Sequence, residues 1–348
     1  MKMENNKLVI LSGAGFPLMW GAPKSDELAI SIKKIIRRKL INNTSLCRKL
    51  LNNDSFETII EAIESLIYYS ISSFNKNYMT SFFKCQEDID SGILWELYEE
   101  CINAIIQRIE EYENRVLQDN NIKESIRSLW TVLNTTFKSV KYNTTNYDEI
   151  LPRVLNWDCE NMDLATYANM QNTFSNLHGS IHLCKKYNGW CYEIIHTEKT
   201  CRQNNAFLIE GGNPNELMIF FPIITGQNKV QRVMDMYFNR NIITFSNDLS
   251  DCNVLLIIGY SFSDPHINML IKEFVSLEKT RVVVIDKMEE VSNSNLFDRL
   301  IRLIPIQTKY KADTSTDDWF SYNNSSVKIY KRGCDKLFSD MDFINNLL

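Results

Sequence analysis

A glycine turn is the first stretch of this sequence whose residue types could do chemistry. Gly13-Ala14-Gly15 follows residues 8–11, whose apolar side chains predict a buried strand, and a helical pattern begins at Ser25. Such a turn lets the backbone approach a pyrophosphate closely, and the N–H groups that begin the next helix can bind it. The same order also occurs as a plain tight turn in α/β proteins, so the glycines alone leave both interpretations open.

Later in the chain, small, polar and ionisable residues again follow apolar or β-rich segments. These residues are Asn146, Asp148, His178, Gly259, Ser261 and Asp286. The carboxyl ends of parallel strands meet at one edge of a sheet, where α/β proteins bind ligands, and a neutral imidazole there can accept a proton. Each ionisable candidate also has a structural interpretation: a hydrogen-bonded histidine at 178, a helix cap at 146 and 148, and a turn residue at 286.

Alternating apolar segments and helical patterns predict the elements that position these residues. Strands are predicted at residues 8–11, 140–145, 173–177, 217–221, 254–258, 281–285 and 327–331. Helices are predicted at residues 26–40, 230–249, 264–277, 294–302 and 336–347, with a short helix from Asp148. This alternation indicates an α/β fold in which a parallel sheet is covered by helices on both faces.

Two regions lie outside that alternation. Residues 41–139 show helical spacing without a strand pattern, which predicts a helical insertion between the first and second strands. Residues 182–213 are polar and irregular, and they predict a small module with a hairpin at Asn188-Gly189. We therefore expect one domain over residues 1–348 that carries both features.

Composition excludes several classes of protein. The net charge of −5 leaves no basic footprint for nucleic acid, and the apolar share of 44% is ordinary for a globular protein. The first residues lack the apolar core of a signal peptide, and no apolar run approaches the length of a membrane span. Nine cysteines without an export signal favour reduced thiols, so we expect a cytoplasmic protein without a membrane segment.

The position of the acidic residues argues against a dehydrogenase. A dinucleotide-binding dehydrogenase places an acid about 20 residues after the glycine turn, at the end of the second strand. In this sequence that region, residues 29–39, is a basic amphipathic helix, and the acid comes instead at Asp286, after a late strand. The common pattern for hydride transfer is therefore not present.

Four short motifs together resemble a known superfamily. They are Gly13-Ala14-Gly15-Phe16 with Trp20-Gly21-Ala22-Pro23, then Thr144-Thr145-Asn146-Tyr147-Asp148, Leu177-His178-Gly179, and Gly259-Tyr260-Ser261-Phe262-Ser263-Asp264-Pro265-His266. In this order, over residues 8–268, they resemble the sirtuins, and most closely the bacterial sirtuin-like NAD hydrolases of anti-phage defence. The resemblance implies a Rossmann-like NAD-binding core and cleavage of the bond between nicotinamide and ribose.

The resemblance also implies roles for individual residues. Asn146 would bond the nicotinamide-side ribose and hold a water, and His178 would act as general base on a ribose hydroxyl or on that water. The residues implied to bind NAD are Gly13, Ala14, Gly15, Phe16, Asp148, Gly259, Ser261 and Asp286. Asp148 would accept from the carboxamide and Asp286 could hold the adenosine ribose, whereas His266 is expected to be a structural residue of a first helical turn.

Three departures from the sirtuin pattern bear on the activity. Pro17 stands where the superfamily usually has serine, and Lys24-Ser25-Asp26 replaces the Asp-Phe-Arg of deacetylating members. Cys184, Cys191 and Cys201 lie where a structural zinc would be held, but they contain no Cys-x-x-Cys pair and no clear fourth ligand. We therefore expect no bound metal and disfavour protein deacetylation.

These observations predict an NAD glycohydrolase that depletes NAD in abortive infection. The alternatives are an NAD-dependent protein deacylase and a non-catalytic subunit that binds NAD or ADP-ribose and oligomerises. Since such an activity would kill its host if unrestrained, we expect control through assembly. The resemblance points to a homo-oligomer, or to a co-encoded partner such as a HerA-type ATPase or a short Argonaute, with residues 41–139 as the contact surface.

Overall fold

The computed structural model describes residues 6–71, 91–157, 172–187, 192–196, 236–287, 295–304, 314–315, 318–322, 326–335 and 337. The chain divides into two compact units. The sheet unit contains Met1–Ala22, Glu113–Ser180 and Val233–Leu348, and the helical unit contains Pro23–Tyr112 and Ile181–Arg232. One domain with an insertion over 41–139 remains a prediction.

Ten strands lie within the described residues. They are β1 (Lys7–Ser12), β2 (Ser139–Thr144), β3 (Asn172–Asn176), β4 (Leu183–Tyr187), β5 (Tyr192–His196), β6 (Val254–Ile258), β7 (Arg281–Ile285), β8 (Thr314–Ser315), β9 (Trp319–Tyr322) and β10 (Val327–Tyr330). Eight of them form the main sheet, in the order β3-β2-β1-β6-β7-β10-β9-β8. The pairs from β3 to β10 are parallel, and β9 and β8 are added antiparallel.

Nine α-helices are described. They are α1 (Ser25–Lys39), α2 (Thr44–Leu51), α3 (Phe56–Ile71), α4 (Ser91–Gln118), α5 (Asn120–Thr136), α6 (Ile150–Val154), α7 (Met236–Ser250), α8 (Pro265–Phe274) and α9 (Asn295–Leu303). A 3₁₀ turn, Pro17–Trp20, follows β1. Within the described ranges, no helix combines the length and the apolar character needed to cross a bilayer.

The sheet is buried on both faces because its central strands are mostly apolar, at residues 8–11 of β1, throughout β6 and at residues 282–285 of β7. On one face, Val9 and Leu255 belong to a core that includes Phe245 of α7, Ile267 of α8 and Leu300 of α9. On the other face, side chains from the sheet and from α5 and α6 surround a small apolar cavity, lined by Ile10, Phe16, Leu129, Trp130, Leu133, Tyr142, Leu151, Leu256, Ile258 and Leu337. The predicted α/β fold with helices on both faces is confirmed.

The helical unit is built from α1, α2, α3 and most of α4, together with the antiparallel pair β4 and β5. Apolar side chains at helical spacing, such as Ile32 and Ile36 of α1, are fully buried. Tyr98 donates from its hydroxyl to Glu64 at 2.5 Å inside this unit. Lys39 pairs with Glu100 at 2.7 Å on its surface.

The predicted strands and helices are confirmed wherever they lie in the described residues, as is the hairpin pairing of β4 with β5. The predicted strand at 217–221 and the last helix at 336–347 fall outside them, apart from residue 337. The short helix begins at Ile150 rather than Asp148, because the Asp148 carboxylate accepts the Ile150 N–H from outside the helix. The strands β8 and β9 were not predicted, since two and four residues are too few to show a period.

Candidate functional site

The order of the parallel strands reverses between β1 and β6, and three glycines meet at that point. Gly13 and Gly15 follow β1, and Gly259 follows β6. The Gly13 N–H donates to Ile258 O at 2.9 Å, and the Gly15 N–H donates to Gly259 O at 2.8 Å. We call these three residues the glycine junction. A reversal of this kind is where α/β sheets leave a ligand crevice at the carboxyl ends of their strands.

Side chains would not fit in the glycine junction. A Cβ on Gly259 would lie 2.3 Å from the Phe16 nitrogen, and a Cβ on Gly13 would lie 2.7 Å from Gly259 O. Gly259 also has a φ of +58°, which side chains disfavour. The glycines are thus explained by contact between two loops, and the N–H groups of Gly13 and Gly15 are used within the protein. Ala14 lies exposed at the tip of the turn.

The segment after the turn is held by a ring contact and by an arginine. Phe16 is buried and packs edge-to-face on Trp20, with ring centroids 5.1 Å apart. Arg115 of α4 donates to Gly21 O at 2.6 Å and to Trp20 O at 3.3 Å. The 3₁₀ turn that follows β1 is therefore held in a defined position.

Asn146 lies beside the glycine junction. Its side-chain Nδ2 donates to Gly13 O at 3.1 Å, and its backbone N–H donates to Thr144 Oγ1 at 3.0 Å. Ser12 Oγ donates to the same threonine oxygen at 2.9 Å. These bonds fix the partly exposed amide at the carboxyl end of β2, and its Oδ1 is the atom available to orient a ligand.

Close to Asn146 along the chain, Asp148 belongs to a group of buried and partly buried polar residues that we call the acid pocket. It consists of Glu113, Asp148, Glu149, Arg153 and Asn176. Glu113 is 1% exposed; it accepts the Glu149 N–H at 2.8 Å and an Arg153 N–H at 3.1 Å. The Glu149 carboxylate accepts from Asn176 Nδ2 at 3.2 Å. Glu113 was missed in the sequence, because one glutamate in a long charged helix has no spacing that distinguishes it.

Asp148 has a strongly shifted pKa within this pocket. Burial raises the pKa of Asp148 to about 7, and the negative charge of Glu113 adds to the rise. The backbone N–H of Ile150, 3.4 Å from Oδ1, opposes it. A carboxyl group with a pKa near neutrality can exchange a proton at cell pH, which is typical of functional positions.

His178 is buried after the end of β3 and contacts a second histidine. Its Nε2 lies 3.1 Å from Nε2 of His266, and the ring centroids are 5.1 Å apart. Asp264 places an Oδ1 4.0 Å from the same His178 nitrogen. These three residues are the group in the described part of the chain that could hold a metal ion. His266 does lie in the first turn of α8, as expected.

The loop from β6 to α8 is strained at a buried residue. Phe262 has a φ of +54°, which is uncommon for a bulky side chain. Asn268 stabilises this conformation, since its Nδ2 donates to Phe262 O at 2.8 Å and its Oδ1 accepts from the Tyr260 hydroxyl at 3.1 Å. Ser261 is exposed, and its carbonyl accepts from Arg299 at 2.9 Å. Strain held in this way is often found at binding sites.

Asp286 lies at the end of β7, next to β6 in the sheet. Burial raises the pKa of its carboxyl group to about 6, and the Lys287 N–H, 2.7 Å from Oδ1, opposes the rise. The Asp286 backbone N–H donates to Tyr330 O of β10. The carboxyl group is therefore at the expected edge of the sheet, and the described contacts do not join it to Asn146 or His178.

The candidate residues thus fall into connected groups at one edge of the sheet. Hydrogen bonds join Gly13, Gly15, Gly259 and Asn146. A second group joins His178 to Asp264, at the end of the β6–α8 loop, and to His266 in the first turn of α8. Asp148 belongs to the acid pocket, whereas Ala14, Ser261 and Asp286 stand at the same edge outside these groups. The apolar cavity described above has no polar lining, so it is not the candidate site.

Several solved structures are similar to this chain. A Sir2 homologue mutant in complex with ADP-ribose is 11% identical, with 86% of this chain and 92% of that chain covered and a TM-score of 0.40. A Sir2 homologue mutant in complex with 2′-O-acetyl ADP-ribose is 13% identical, with 88% and 96% covered and a TM-score of 0.41. A Sir2 homolog in complex with NAD is 14% identical, with 84% and 81% covered and a TM-score of 0.37.

No curated protein sequence matches the chain. The family model described as a SIR2-like domain matches residues 140–304. That match begins in β2 and ends just after α9, so it includes Asn146, His178 and the β6–α8 loop. The similarity to a SIR2-like domain therefore extends over residues 140–304, a little less than half of the chain.

Proposed function

We propose that this protein is an NAD glycohydrolase, which uses water to cleave NAD into nicotinamide and ADP-ribose. The observation that carries the proposal is the position of Asn146. Its amide is fixed on Gly13 O at the point where the strand order reverses, at the same edge of the sheet as the buried His178. An amide and a histidine at that edge suit a ligand with a ribose next to a pyrophosphate.

The chemistry needs little acid assistance. Nicotinamide leaves as a neutral molecule, and the bond that breaks joins its ring nitrogen to the ribose carbon. Positive charge develops on the ribose in the transition state, and fixed dipoles stabilise such charge. With Nδ2 held by Gly13 O, the Oδ1 of Asn146 would orient the attacking water towards that carbon.

Two further residues would complete the reaction. His178 would accept the proton that the water or a ribose hydroxyl loses, because an imidazole can act as a general base near neutral pH. Asp148 would accept from the amide of the leaving carboxamide. The Phe16–Trp20 contact and the exposed Ala14 would face the phosphates, and Ser261 and Asp286 would contact the nucleotide further along the edge.

The test is product analysis with purified full-length protein and NAD. We expect equal amounts of nicotinamide and ADP-ribose, and a loss of at least about 100-fold in rate for Asn146→Ala and for His178→Ala. Asn52→Ala, at an exposed asparagine, serves as the matched control. Full rates in both site variants would refute the assignment of the two residues. Nicotinamide release that requires an acetyl-lysine peptide would instead indicate a deacylase.

We also propose that the activity is controlled by assembly and serves anti-phage defence through NAD depletion. An unrestrained NAD hydrolase would kill its own cell, so the active state has to depend on a second event. Partner binding would shift the population towards an ordered site if the partner binds that state more tightly. Light scattering, followed by NAD turnover with and without co-encoded proteins such as a HerA-type ATPase or a short Argonaute, tests this. A fully active monomer indifferent to every partner would contradict it.

A further inference from the structure

A buried group of two histidines and one aspartate lies at the candidate site. We propose that His178, Asp264 and His266 form a binding site for a zinc-class divalent ion, and that the bound ion inhibits the enzyme by occupying Nε2 of His178. The inhibition rests on the function proposed above, whereas ion binding does not. Such a site is distinct from one made of cysteines, which the sequence led us not to expect.

The distances are close to those of a tetrahedral zinc site. Zinc binds imidazole nitrogen and carboxylate oxygen at about 2.0–2.2 Å, which places neighbouring ligand atoms about 3.3–3.5 Å apart. The two Nε2 atoms are 3.1 Å apart, and Oδ1 of Asp264 is 4.0 Å from Nε2 of His178. One ligand atom from each residue lies within 4.8 Å of the others. Side-chain adjustments of less than about 1 Å would close the set around an ion.

The ligand types select the class of ion. Two imidazoles and one carboxylate suit zinc and its neighbours among the transition metals, whereas magnesium and calcium prefer sites made only of oxygen. Three protein ligands with a fourth position left to water are the pattern of exchangeable zinc sites rather than of closed structural ones. The two neutral imidazoles and the single carboxylate would reduce the charge of the ion to +1.

The local fold presents these atoms together. Asp264 is the N-cap residue of α8, but its side chain makes no capping hydrogen bond and lies towards His178 instead. Its carbonyl accepts the Asn268 N–H at 3.0 Å, and Pro265 begins the helix, so the backbone of Asp264 is fixed. The two histidines are 2% and 7% exposed, which restricts their rotamers. Burial and fixed backbone lower the cost of assembling the ligands.

A bound ion and a proton would compete for one nitrogen. An Nε2 that donates its lone pair to zinc cannot accept a proton from water or from a ribose hydroxyl. Zinc should therefore inhibit NAD cleavage reversibly, and a chelator should restore it. A direct N–H···N hydrogen bond between the histidines is the alternative explanation of the 3.1 Å contact, and it predicts no ion binding.

Cobalt substitution tests ion binding without reference to activity. Full-length protein is freed of metal with a chelator and titrated with Co²⁺, whose visible absorption is intense in a tetrahedral site. We expect one equivalent to bind, to be displaced by Zn²⁺, and to be unaffected by Mg²⁺. X-ray absorption of the zinc form of the wild-type chain should show two imidazoles and oxygen. Absence of a band, or sulfur ligands from the cysteines, would overturn the proposal.

Variants then locate the ion. His266→Gln and Asp264→Asn should each weaken Co²⁺ binding by more than about 10-fold, since even residues that only support a ligand contribute 10–100-fold. His196→Gln is the matched control and should bind as the wild type does. Circular dichroism shows whether each variant is folded. If a variant is unfolded, the X-ray absorption of the wild-type zinc form identifies the ligands instead. Unchanged binding in both folded variants would refute the site.

Activity gives an independent comparison. In wild-type protein that hydrolyses NAD, one equivalent of Zn²⁺ should lower the rate by at least about 10-fold, and the chelator should restore it. A cobalt band in a protein that never cleaves NAD would leave the ion site standing and refute the proposed function. NAD cleavage by a protein that shows no cobalt band would support the proposed function and refute the ion site. Cleavage that persists with the ion bound would refute the inhibition.

Discussion

The glycine junction and the acid pocket lie at the same edge of one sheet, but different forces hold them. At the junction, backbone groups of two loops touch, and the contact leaves no room for a Cβ on Gly259. In the pocket, the residues are held by hydrogen bonds to side chains. The carboxylate of the buried Glu113 accepts from the Arg153 guanidinium and from the backbone N–H of Glu149. The first region depends on close fit and on backbone hydrogen bonds, whereas the second depends on charge.

The difference matters because the two regions would meet different parts of the proposed ligand, the pyrophosphate and the nicotinamide of NAD. Backbone geometry that does not titrate suits a pyrophosphate, whose charge is constant at cell pH. The acid pocket contains Asp148, whose pKa burial raises to about 7, so its charge changes within the physiological range. We therefore expect substitutions at the junction to act sterically at every pH, and substitutions in the pocket to act in a pH-dependent or charge-dependent way.

The largest effect is expected for Gly259→Ala. The new Cβ would lie 2.3 Å from the Phe16 nitrogen, and φ is +58°. Backbone strain and overpacking each cost about 1–3 kcal/mol, so the free energy of unfolding should fall by about 3 kcal/mol or more. Denaturant unfolding measures the change, and the loss should be the same at pH 6 and pH 8.

Gly333→Ala separates strain from crowding in that experiment. Gly333 has a φ of +91°, but the nearest atom to its Cβ would be 3.8 Å away. This variant should therefore lose only the cost of the left-handed backbone, about 1–2 kcal/mol. Equal losses in the two variants would show that the contact between the two loops contributes nothing.

The next largest effect is expected for Arg153→Met. It leaves the carboxylate of Glu113, which is 1% exposed, without its cation. Breaking a fully buried pair costs about 3–5 kcal/mol; because Arg153 is 34% exposed, we expect a loss of about 2 kcal/mol. Arg127→Met is the control, since its pair with Glu124 is exposed and should contribute less than about 0.5 kcal/mol. Similar losses in the two variants would mean that Glu113 is not buried.

These two regions also show which features of the protein could be predicted from its sequence. The apolar strands and the residues at their ends were predicted because a buried parallel strand is an uninterrupted apolar run. The glycines were predicted as a phosphate-binding turn, but their contact with Gly259 joins positions about 250 residues apart along the chain, and local patterns carry no information about such distances.

The acid pocket and the histidine pair could not be predicted for the same reason. Glu113 lies in α4 among other glutamates, and only the tertiary fold brings it under Asp148. His266 was expected in a first helical turn, where it does lie, but its contact with His178 spans 88 positions. Residue types predicted which side chains could act at the edge of the sheet. Only the fold showed which of those side chains contact one another.

A smaller effect with a defined pH dependence is expected for Asp148→Asn. The folded pKa of about 7 is above the usual aspartate value of 3.8, so between these values the folded protein holds a proton that the unfolded chain releases. Stability from this group is therefore present at low pH and is lost as pH rises towards 7. Asparagine cannot titrate, so the variant should gain about 1–2 kcal/mol relative to wild type between pH 5 and pH 8.

Urea unfolding at a series of pH values measures that gain. Glu124→Gln is the control, because the Glu124 side chain is 73% exposed and should show no such gain. A constant difference between Asp148→Asn and the wild type across this range would mean that the Asp148 carboxyl group titrates alike in the folded and unfolded states.

The smallest effect is expected for Arg115→Ala, and it should be local. Arg115 is exposed and donates to the carbonyls of Trp20 and Gly21, so its loss should lower global stability by no more than about 0.5–1 kcal/mol. The 3₁₀ turn should open more often, because it loses the two hydrogen bonds from Arg115. It keeps the backbone hydrogen bonds from Gly21 N–H to Leu18 O and from Ala22 N–H to Pro17 O. Hydrogen exchange of the Gly21 and Ala22 amides should accelerate, while amides of β1 remain protected. Arg108→Ala, on the same helix, is the control and should leave exchange of the Gly21 and Ala22 amides unchanged. Equal exchange rates in the two variants would show that Arg115 does not hold the 3₁₀ turn.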